Sequence, residues 1–486
     1  MIWKAIESGG YQLVRLIISI VLARILDPAN YTTLALLLIF INIADVFVKR
    51  GFSTALIQKK DADNVDFSSV LWASLIIAGV LYAALFFAAP SIAAFYEEPV
   101  FAKALRVLSV ILFFGAFNSV QIAVITRKME FRKLSVTTLG ATIFSGIVGI
   151  WMAYAGYGIW ALVVNQLLGS LGTLILLWLQ DRWKPLLTIS LPRVKSLFSY
   201  GWKLLVSSLL DTGYTELSSL VIGKRFIGDS LAFYNRGRQY PEMIANNLTS
   251  VALAVLFPAY SQKQDDQPLV LEMVRKTNRT TALMVFPMMA GMAMVATLLM
   301  RVLLTEKWVP AAPFLQVLAI VYALYPVEAA DLQAINAIGR SDLYLKTEII
   351  KKIFGILALA AAVFLFTTPI AIAFSAALTA VFSMLVTMIV MKRLFFYRMR
   401  DQIWDIMPPI LLSGAMAAAV WGVSLIQMGD LASLIVQVVC GIAVYLGLAV
   451  LCKLKSLDYL VASIKDFLNR KKTKQPGQDE TEKDQL

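Results

Sequence analysis

The sequence predicts an all-α, polytopic membrane protein with about 14 transmembrane helices. Of its 486 residues, 59% are hydrophobic and only 15% are charged, whereas soluble proteins average about 25% charged residues. Apolar segments repeatedly reach roughly 20 residues, the length needed to cross about 30 Å of hydrocarbon. An internal duplication further predicts two six-helix lobes followed by two C-terminal helices.

Fourteen apolar spans follow one another along the chain, bounded by charged residues, Pro or Gly. They lie at about residues 9–26, 31–48, 68–94, 105–125, 135–155, 158–180, 198–222, 240–260, 280–304, 311–337, 346–366, 368–391, 408–427 and 431–452. The longest break in composition separates the sixth span from the seventh. We therefore predict an N-terminal lobe, a C-terminal lobe, two extra helices and a cytoplasmic tail with a disordered end, at residues 1–182, 193–400, 401–455 and 456–486.

The net charge of +13 is explained by membrane topology and not by nucleic-acid binding. With the N-terminus in the cytoplasm, 34 Lys and Arg fall in cytoplasmic segments and 9 in external loops, and Arg15 lies inside a span. This asymmetry predicts that both termini are cytoplasmic. One external loop is unusually basic, and contact with lipid headgroups or with an anionic ligand are both open interpretations. Its basic residues are Lys224, Arg225, Arg236 and Arg238.

No enzymatic or metal chemistry is indicated. The chain has no histidine, and its two cysteines lie on one predicted helix, too far apart to bond to each other. No nucleotide, metal or nucleophile motif stands out, and no loop is long enough to form a soluble catalytic domain. We therefore expect a non-enzyme without a cofactor.

The internal duplication relates the region around residues 22–61 to a second stretch about 200 residues later. Three polar residues recur in order at a nearly constant offset: Arg24 with Arg225, Asp27 with Asp229, and Tyr31 with Tyr234. Six spans precede the second copy, so both copies enter the membrane from the same side. A parallel repeat of this kind predicts a substrate path between the two lobes.

Polar side chains in the first span form one stripe at helical spacing: Ser8, Tyr11, Gln12, Arg15 and Ser19. An Arg in mid-membrane is costly and must face water or a partner. Glu216 occupies the position equivalent to Arg15 in the repeat, so the two predict an intramembrane ion pair. Arg24 lies on the opposite side of the same helix, where its side chain could reach the interface. Asp45 lies well inside the second span and is a further functional candidate.

The fourth and tenth spans carry aligned polar pairs. Asn118 and Gln121 in the first lobe correspond to Glu328 and Asp331 in the second. Two carboxylates three residues apart on one helix face tend to share a proton, which makes this pair a candidate for proton or sodium coupling. The alternative is an ion pair between either carboxylate and a basic residue near a span end, Lys307 or Arg340.

Several segments together resemble the Wzx-type polysaccharide transporter family, a branch of the multidrug/oligosaccharidyl-lipid/polysaccharide exporter superfamily. They are WKAIESGGYQLVRLIISIVLARILDPANY, GFSTALIQKKD, GKRFIGDSLAFYNRGRQ, VLFPAYSQKQDD and TEKWVPAAPFLQVLAI. The colanic and teichuronic acid exporters are the most similar branch. The chain departs from the family at Thr32, where a Gly is usual, and at Arg15, where an apolar or aromatic residue is usual.

The resemblance implies a flippase that moves polyprenyl-pyrophosphate-linked oligosaccharide repeat units across the bacterial cytoplasmic membrane for surface polysaccharide biosynthesis. It implies alternating access without ATP hydrolysis, with H⁺, Na⁺ or the membrane potential as candidate energy sources. Polysaccharide polymerases and assembly proteins are expected partners, together with membrane lipids. The candidate substrate-binding residues are Gln12, Arg15, Arg24, Asp45, Asn118, Arg225, Arg236 and Arg238, and the candidate ion-coupling residues are Asp211, Glu216, Glu328 and Asp331.

A second interpretation remains open at this stage, namely a multidrug or organic-cation antiporter of the same superfamily. The carboxylates of the second lobe favour it, while the exporter-like segments and the two extra spans count against it. A glycan polymerase is disfavoured because no large external loop is present.

Overall fold

The protein is all-helical in the computed structural model, which describes residues 2–59, 61–181, 183–226, 228–263, 265–454 and 457. The predicted fold class is thereby confirmed, and the described residues contain no strand. The predicted disordered tail lies outside them, apart from Leu457. The helices are α1 (Ile2–Ile25), α2 (Pro28–Gln58), α3 (Asn64–Tyr96), α4 (Pro99–Leu108), α5 (Ile111–Arg127), α6 (Phe131–Tyr154), α7 (Ile159–Gln180), α8 (Leu191–Arg225), α9 (Ser230–Ser261), α10 (Gln267–Met294), α11 (Ala296–Leu304), a 3-10 turn (Glu306–Ala311), α12 (Ala312–Ala337), α13 (Ser341–Leu365), α14 (Ile370–Phe395), α15 (Met399–Ser424) and α16 (Asp430–Leu451).

Twelve of the fourteen predicted spans each correspond to one long helix, and the fourth and ninth are each divided between two helices. The number of helices that cross a membrane stays a prediction. Nine helical segments of the described chain are long and apolar enough to span a bilayer, or ten with one bent pair. That pair is α10 and α11, which meet at an angle of 71°. The ninth predicted span, 280–304, is therefore broken near Val295 and is not one straight helix.

Local chemistry explains where several helices begin. Asp27 precedes Pro28, the first residue of α2, and proline is favoured at that position because its missing N–H needs no partner there. Asp63 and Asp66 form a reciprocal capping box at the start of α3. Asp229 likewise stands just before α9. The acids that recur in the duplication thus mark the same kind of helix start in both copies.

The first of two compact units comprises residues 1–235, 303–311 and 367–372. In it α2 packs against α5 and α8, and α6 packs against α1 and α7. One apolar cluster near the start of α3 includes the fully buried Leu56, Val70 and Leu71. By packing, α8 groups with the seven helices that precede it, while the lobe limits of the sequence analysis stay a prediction.

The second compact unit comprises residues 236–302, 312–366 and 373–486. Its central element is α10, which packs against α12 and α15, and α15 in turn packs against α16. The hydroxyl of Tyr445 on α16 donates to the carbonyl of Leu283 on α10 at 2.8 Å in a buried setting. The two extra helices are therefore integrated into this unit and do not project from it.

The linker that joins α7 to α8 is fastened to the first turns of α3. The indole N–H of Trp183 donates to the side-chain oxygen of Asn64 at 2.6 Å, and the backbone N–H of Leu186 donates to the hydroxyl of Ser68 at 2.8 Å. Trp72 donates its indole N–H to the carbonyl of Leu186 at 2.8 Å. The linker is thus part of the packed structure of the first unit.

An acidic cap reinforces this attachment from the α8 side. Arg193 donates to the carboxylate of Asp63, and together with the backbone N–H of Asp66 it lowers the pKa of Asp63 to about 2. Asp66 is fully buried and accepts from Lys59 at 2.6 Å. The start of α3, the linker and the start of α8 therefore form one ionic and hydrogen-bonded cluster.

Candidate functional site

Arg15 lies in the middle of α1 on an exposed part of that helix. Its side chain is exposed, like those of its apolar neighbours Leu13 and Ile17, at 60% and 59%. Gln12, one turn earlier, is half-buried, while Ser8 lies outside the residues whose side chains the structure describes. Among the described residues no hydrogen bond or ion pair engages Arg15. The guanidinium therefore lies at the surface of the first unit.

Arg24, by contrast, has a structural contact. Its Nε donates to the carbonyl of Leu303 at 2.7 Å. Nearby, the indole of the buried Trp308 donates to the carbonyl of Ala23 at 2.8 Å, and Lys307 lies 3.4 Å from the carboxylate of Asp27. The segment around the 3-10 turn thus docks on the end of α1, and the predicted role of Arg24 in substrate binding stays a prediction.

Asp45 pairs with a lysine of its own helix and not with an arginine. Its carboxylate lies 2.8 Å from the Nζ of Lys49, one turn further along α2, and 28% of the Asp45 side chain is exposed. Gly115 on α5 faces this pair, since a Cβ there would come within 3.0 Å of the Asp45 Oδ1. The ion pair places two charges at a partly exposed position of the first unit, next to the backbone of Gly115 on α5.

Glu216 has a different partner from the one that the repeat predicts. It accepts from the side-chain amide of Asn42 on α2 at 3.0 Å, so the expected pair with Arg15 is not formed. The reason is that α8 packs along α2, which brings Glu216 to Asn42. Asp211, earlier on α8, is exposed. Both carboxylates remain candidates for ion coupling, and Glu216 lies on the side of α8 that faces α2.

Asn118 and Gln121 are buried on α5, at 6% and 4% exposure. The amide of Asn118 donates to the carbonyl of Ser170 on α7 at 3.0 Å. The amide oxygens of both residues are buried without a hydrogen-bond partner among the residues described. Because buried polar atoms are nearly always satisfied, these two acceptors mark a place for water or for a polar ligand.

The basic external loop of the sequence analysis is shorter than predicted. Arg225 is the last residue of α8, but Arg236 and Arg238 lie inside α9, which begins at Ser230. Arg236 is buried and donates to the side chain of Gln239 at 2.7 Å. Arg238 donates to Glu242 at 2.9 Å and to the hydroxyl of Tyr322 at 3.1 Å. Asp229 starts the helix ten residues earlier than the apolar pattern indicates.

Glu328 forms a buried ionic triad in the second unit. Lys351 on α13 lies 2.6 Å from the Glu328 carboxylate and also pairs with Glu348 on its own helix. Thr387 on α14 lies at 3.5 Å from Glu328. The prediction that Lys307 or Arg340 is the basic partner is wrong, because Arg340 pairs with Asp342 and Lys307 lies beside Asp27. The ion pair that the alternative expected does exist, with Lys351 as the base.

Asp331 has its own donor one turn from the triad. The side-chain amide of Asn278 on α10 donates to it at 2.7 Å, and both residues are buried. Glu328, Asp331, Glu348 and Lys351 therefore form a group of three carboxylates and one ammonium in the second unit. If all ionise, this group carries two net negative charges, so it has the capacity to take up protons or a cation.

Some of these groups could have been found in the sequence. Glu348 and Lys351 stand three residues apart near the start of the predicted span 346–366, a spacing that places opposite charges on one helix face. Asn278 and Asn42 carried no comparable signal. Their partners lie on other helices, 53 and 174 residues away along the chain.

The family described as "Polysaccharide biosynthesis protein" matches residues 21–313. The chain belongs to this family. The match begins after Arg15 and covers most of the first unit and the start of the second, including Arg24, Asp45, Glu216 and Asn278. The resemblance to the polysaccharide exporters is confirmed.

Two relatives of the family extend the comparison. The chain is 27% identical over 321 residues to the succinoglycan biosynthesis transport protein ExoT of Rhizobium meliloti (strain 1021), covering 65% of this chain and 64% of that protein. It is also 27% identical over 391 residues to the teichuronic acid biosynthesis protein TuaB of Bacillus subtilis (strain 168), covering 79% of each.

A solved structure shares the fold. The lipid II flippase MurJ, in its inward closed conformation, superimposes with a TM-score of 0.72 at 15% identity, over 92% of this chain and 97% of that one. At this identity the likeness concerns the fold alone. This member of the polysaccharide biosynthesis family is therefore a multi-pass membrane protein with a transporter fold.

Proposed function

We propose that the protein is a flippase that moves polyprenyl-pyrophosphate-linked oligosaccharide repeat units across the cytoplasmic membrane for surface polysaccharide biosynthesis. The names of its relatives supply the class of substrate. The observation in this chain that carries the proposal is Arg15, an exposed guanidinium in the middle of an apolar helix with no partner among the described residues. Such a charge is costly unless it meets water or an anionic ligand.

The substrate needs a polar path because pyrophosphate and sugar hydroxyls cannot cross hydrocarbon without replacement hydrogen bonds. Arg15 supplies a guanidinium that can bind two oxygens of a phosphate with two parallel hydrogen bonds. Gln12, the Asp45–Lys49 pair and the Asn42–Glu216 pair supply further donors and acceptors within the first unit. The lipid tail would remain in the acyl chains while these groups bind the head.

Transport is proposed to proceed by alternating access, without catalysis or ATP hydrolysis by this chain. The carboxylates of the second unit, Glu328 and Asp331, are the proposed carriers of a coupling proton or sodium ion. Lys351 competes with that cation for Glu328, since both neutralise the same carboxylate. The Asp211 and Glu216 carboxylates of the first unit are further candidates.

The proposed location is the bacterial cytoplasmic membrane, with both termini in the cytoplasm. The support is the distribution of Lys and Arg between alternate loops, which follows the positive-inside rule. Polymerases or ligases that consume the translocated repeat unit are the proposed partners on the outer side.

The test is the sidedness of lipid-linked oligosaccharides in cells that lack the gene. Intermediates should accumulate on the cytoplasmic face and be cleared by the wild-type protein. Arg15→Ala should reduce clearance by about 10- to 100-fold, the loss expected for one hydrogen bond to a charged group. Leu13→Ala, at another exposed position of the same helix, is the matched control and should restore transport.

Two outcomes would contradict the proposal. If deletion leaves the intermediates unchanged and raises sensitivity to cationic compounds, the protein is a multidrug antiporter. If Arg15→Ala clears intermediates as well as Leu13→Ala does, Arg15 does not contact the substrate.

A further inference from the structure

Two arginines and a buried aspartate form a cluster in the second unit, where α10 packs against α15. Its centre is Asp405 on α15, which is only 6% exposed. Arg275 on α10 donates to both carboxylate oxygens, from Nε at 2.7 Å and from Nη2 at 3.1 Å. Arg279, one turn further along α10, and the hydroxyl of Tyr397 donate to the same carboxylate. None of these four residues takes part in the site described above.

The cluster holds two guanidinium groups with a single carboxylate between them. Each oxygen of Asp405 already accepts two hydrogen bonds, so it is saturated on its protein side. One positive charge therefore remains uncompensated within the cluster. A second arginine is not needed to join the two helices, because Arg275 already binds the carboxylate through two hydrogen bonds. The surplus charge points to an anion.

Both arginines present free edges to their surroundings. Their side chains are 36% and 40% exposed, for Arg275 and Arg279 respectively. Arg275 is further positioned over the ring of Tyr397, at 5.3 Å from its centroid. A guanidinium has five N–H donors, and Asp405 uses two from Arg275 and one from Arg279. The remaining donors form a fork of fixed geometry that suits a phosphate.

The surroundings add to the positive charge. Residues 272–279 and 392–405 contain seven basic and three acidic residues. The exposed basic residues of the second segment are Lys392, Arg393, Arg398 and Arg400. The acidic residues include Asp401, one turn before Asp405. The local net charge is thus about +4, on the side of the protein that the positive-inside rule assigns to the cytoplasm.

Aromatic side chains place the cluster at the level of lipid headgroups. Trp404, next to the buried Asp405, is 60% exposed, and Phe396 is 85% exposed. Exposed Trp residues at the ends of membrane helices are typical of the interface between headgroups and acyl chains. The ligand that reaches Arg275 and Arg279 is therefore expected to have an anionic head and an apolar body.

We propose that Arg275 and Arg279, held by Asp405 and Tyr397, bind the phosphate of an anionic phospholipid in the cytoplasmic leaflet. Basic sites between membrane helices on this side bind anionic head groups such as that of cardiolipin. The bound lipid neutralises the surplus charge and covers the seam between α10 and α15. The site is separate from Arg15 and does not depend on what the protein transports.

The test is lipid retention by the purified full-length protein in native mass spectrometry. The probes are phosphatidylglycerol, cardiolipin, zwitterionic phosphatidylcholine and free inorganic phosphate, at one ionic strength. Wild-type protein should retain phosphatidylglycerol and cardiolipin over phosphatidylcholine. Arg279→Gln should weaken that retention by about tenfold, the cost of one lost charge-assisted hydrogen bond. Arg132→Gln, an exposed cationic position on α6 with the same charge change, should leave it within twofold.

Arg279→Lys is the replacement variant for the lipid-retention measurement if Arg279→Gln folds poorly. It keeps the charge but loses the planar fork, so we expect intermediate retention. The proposal is overturned if Arg279→Gln and Arg132→Gln retain anionic lipid equally, or if free phosphate binds as tightly as phosphatidylglycerol. It is also overturned if Arg279→Gln loses binding of polyprenyl pyrophosphate while phosphatidylglycerol retention is unchanged, because the site would then belong to the substrate.

Discussion

Replacing Lys351 by methionine should be among the most damaging single changes in the second unit. Lys351 is 9% exposed and supplies the only ammonium that contacts Glu328 and Glu348 among the described residues. Methionine keeps most of the volume of the lysine stem and removes the charge. The variant therefore isolates the electrostatic contribution from the packing of the side chain.

The expected magnitude follows from burial. Removing one partner of a buried ion pair costs 3–5 kcal/mol, because the remaining charge is left without compensation. The Glu328 side chain is only 10% exposed, whereas Glu348 is 23% exposed and keeps part of its solvation. We therefore expect the lower end of the range, about 3 kcal/mol, or roughly a 150-fold change in the unfolding equilibrium.

The assay is unfolding of the purified full-length protein in mixed micelles of increasing denaturing detergent, followed by tryptophan fluorescence. Arg340→Gln is the matched control, because Arg340 and Asp342 form an exposed pair whose side chains are 47% and 51% exposed. Exposed pairs contribute at most about 1 kcal/mol. A second variant, Lys351→Met with Glu328→Gln, should be more stable than Lys351→Met alone.

Two results would refute this reasoning. One is a Lys351→Met protein as stable as Arg340→Gln, which would mean that water or another cation neutralises the carboxylates. The other is a double variant no more stable than the single one, since the loss would then come from packing and not from the unpaired Glu328.

Three further predictions concern packing, pH and a single hydrogen bond. Gly146→Ala should destabilise the protein by about 1–3 kcal/mol, because the added Cβ would lie 2.2 Å from the Ile18 Cδ1. The control is Gly422→Ala, whose added Cβ would meet no described atom within 4 Å. This control should be neutral or slightly stabilising in the same unfolding assay. The pKa of Asp63 is lowered to about 2. Its stabilising contact with Arg193 should therefore be fully present above about pH 4 and be lost as the pH falls towards 2. Carbon-13 NMR of a labelled Asp63 carboxyl would record this titration. Tyr445→Phe should cost about 1 kcal/mol in unfolding free energy through the lost bond to Leu283, and equal stability of the two proteins would mean that this bond contributes nothing.

The fold could be predicted from the sequence because membrane helices are encoded in long apolar runs whose length the bilayer fixes. The bend at Val295 could not be predicted because Met294 and Ala296 continue the apolar composition on both sides of it. Arg236 and Arg238 were placed in a loop because polar residues resemble a loop in a hydropathy pattern. The start of α9 is determined instead by the turn around Asp229, a local signal that apolar periodicity does not contain.

The candidate site could be predicted only in part, for a physical reason. An isolated charge in an apolar run, such as Arg15 or Glu328, is visible in one dimension because it is costly wherever it lies. The partner that satisfies it is chosen by packing. Glu216 has Asn42 as its partner because α8 lies along α2, and a repeat offset carries no information about that contact.

The fastening of the linker on α3 has a consequence for biogenesis. The groups that hold residues 183–190 come from the first turns of α3, which leave the ribosome more than a hundred residues earlier. The docking surface is therefore complete before the linker is synthesised. Arg193, near the start of α8, then contacts Asp63 on that surface. The beginning of α8 is thus held by a segment of the chain that was synthesised before it.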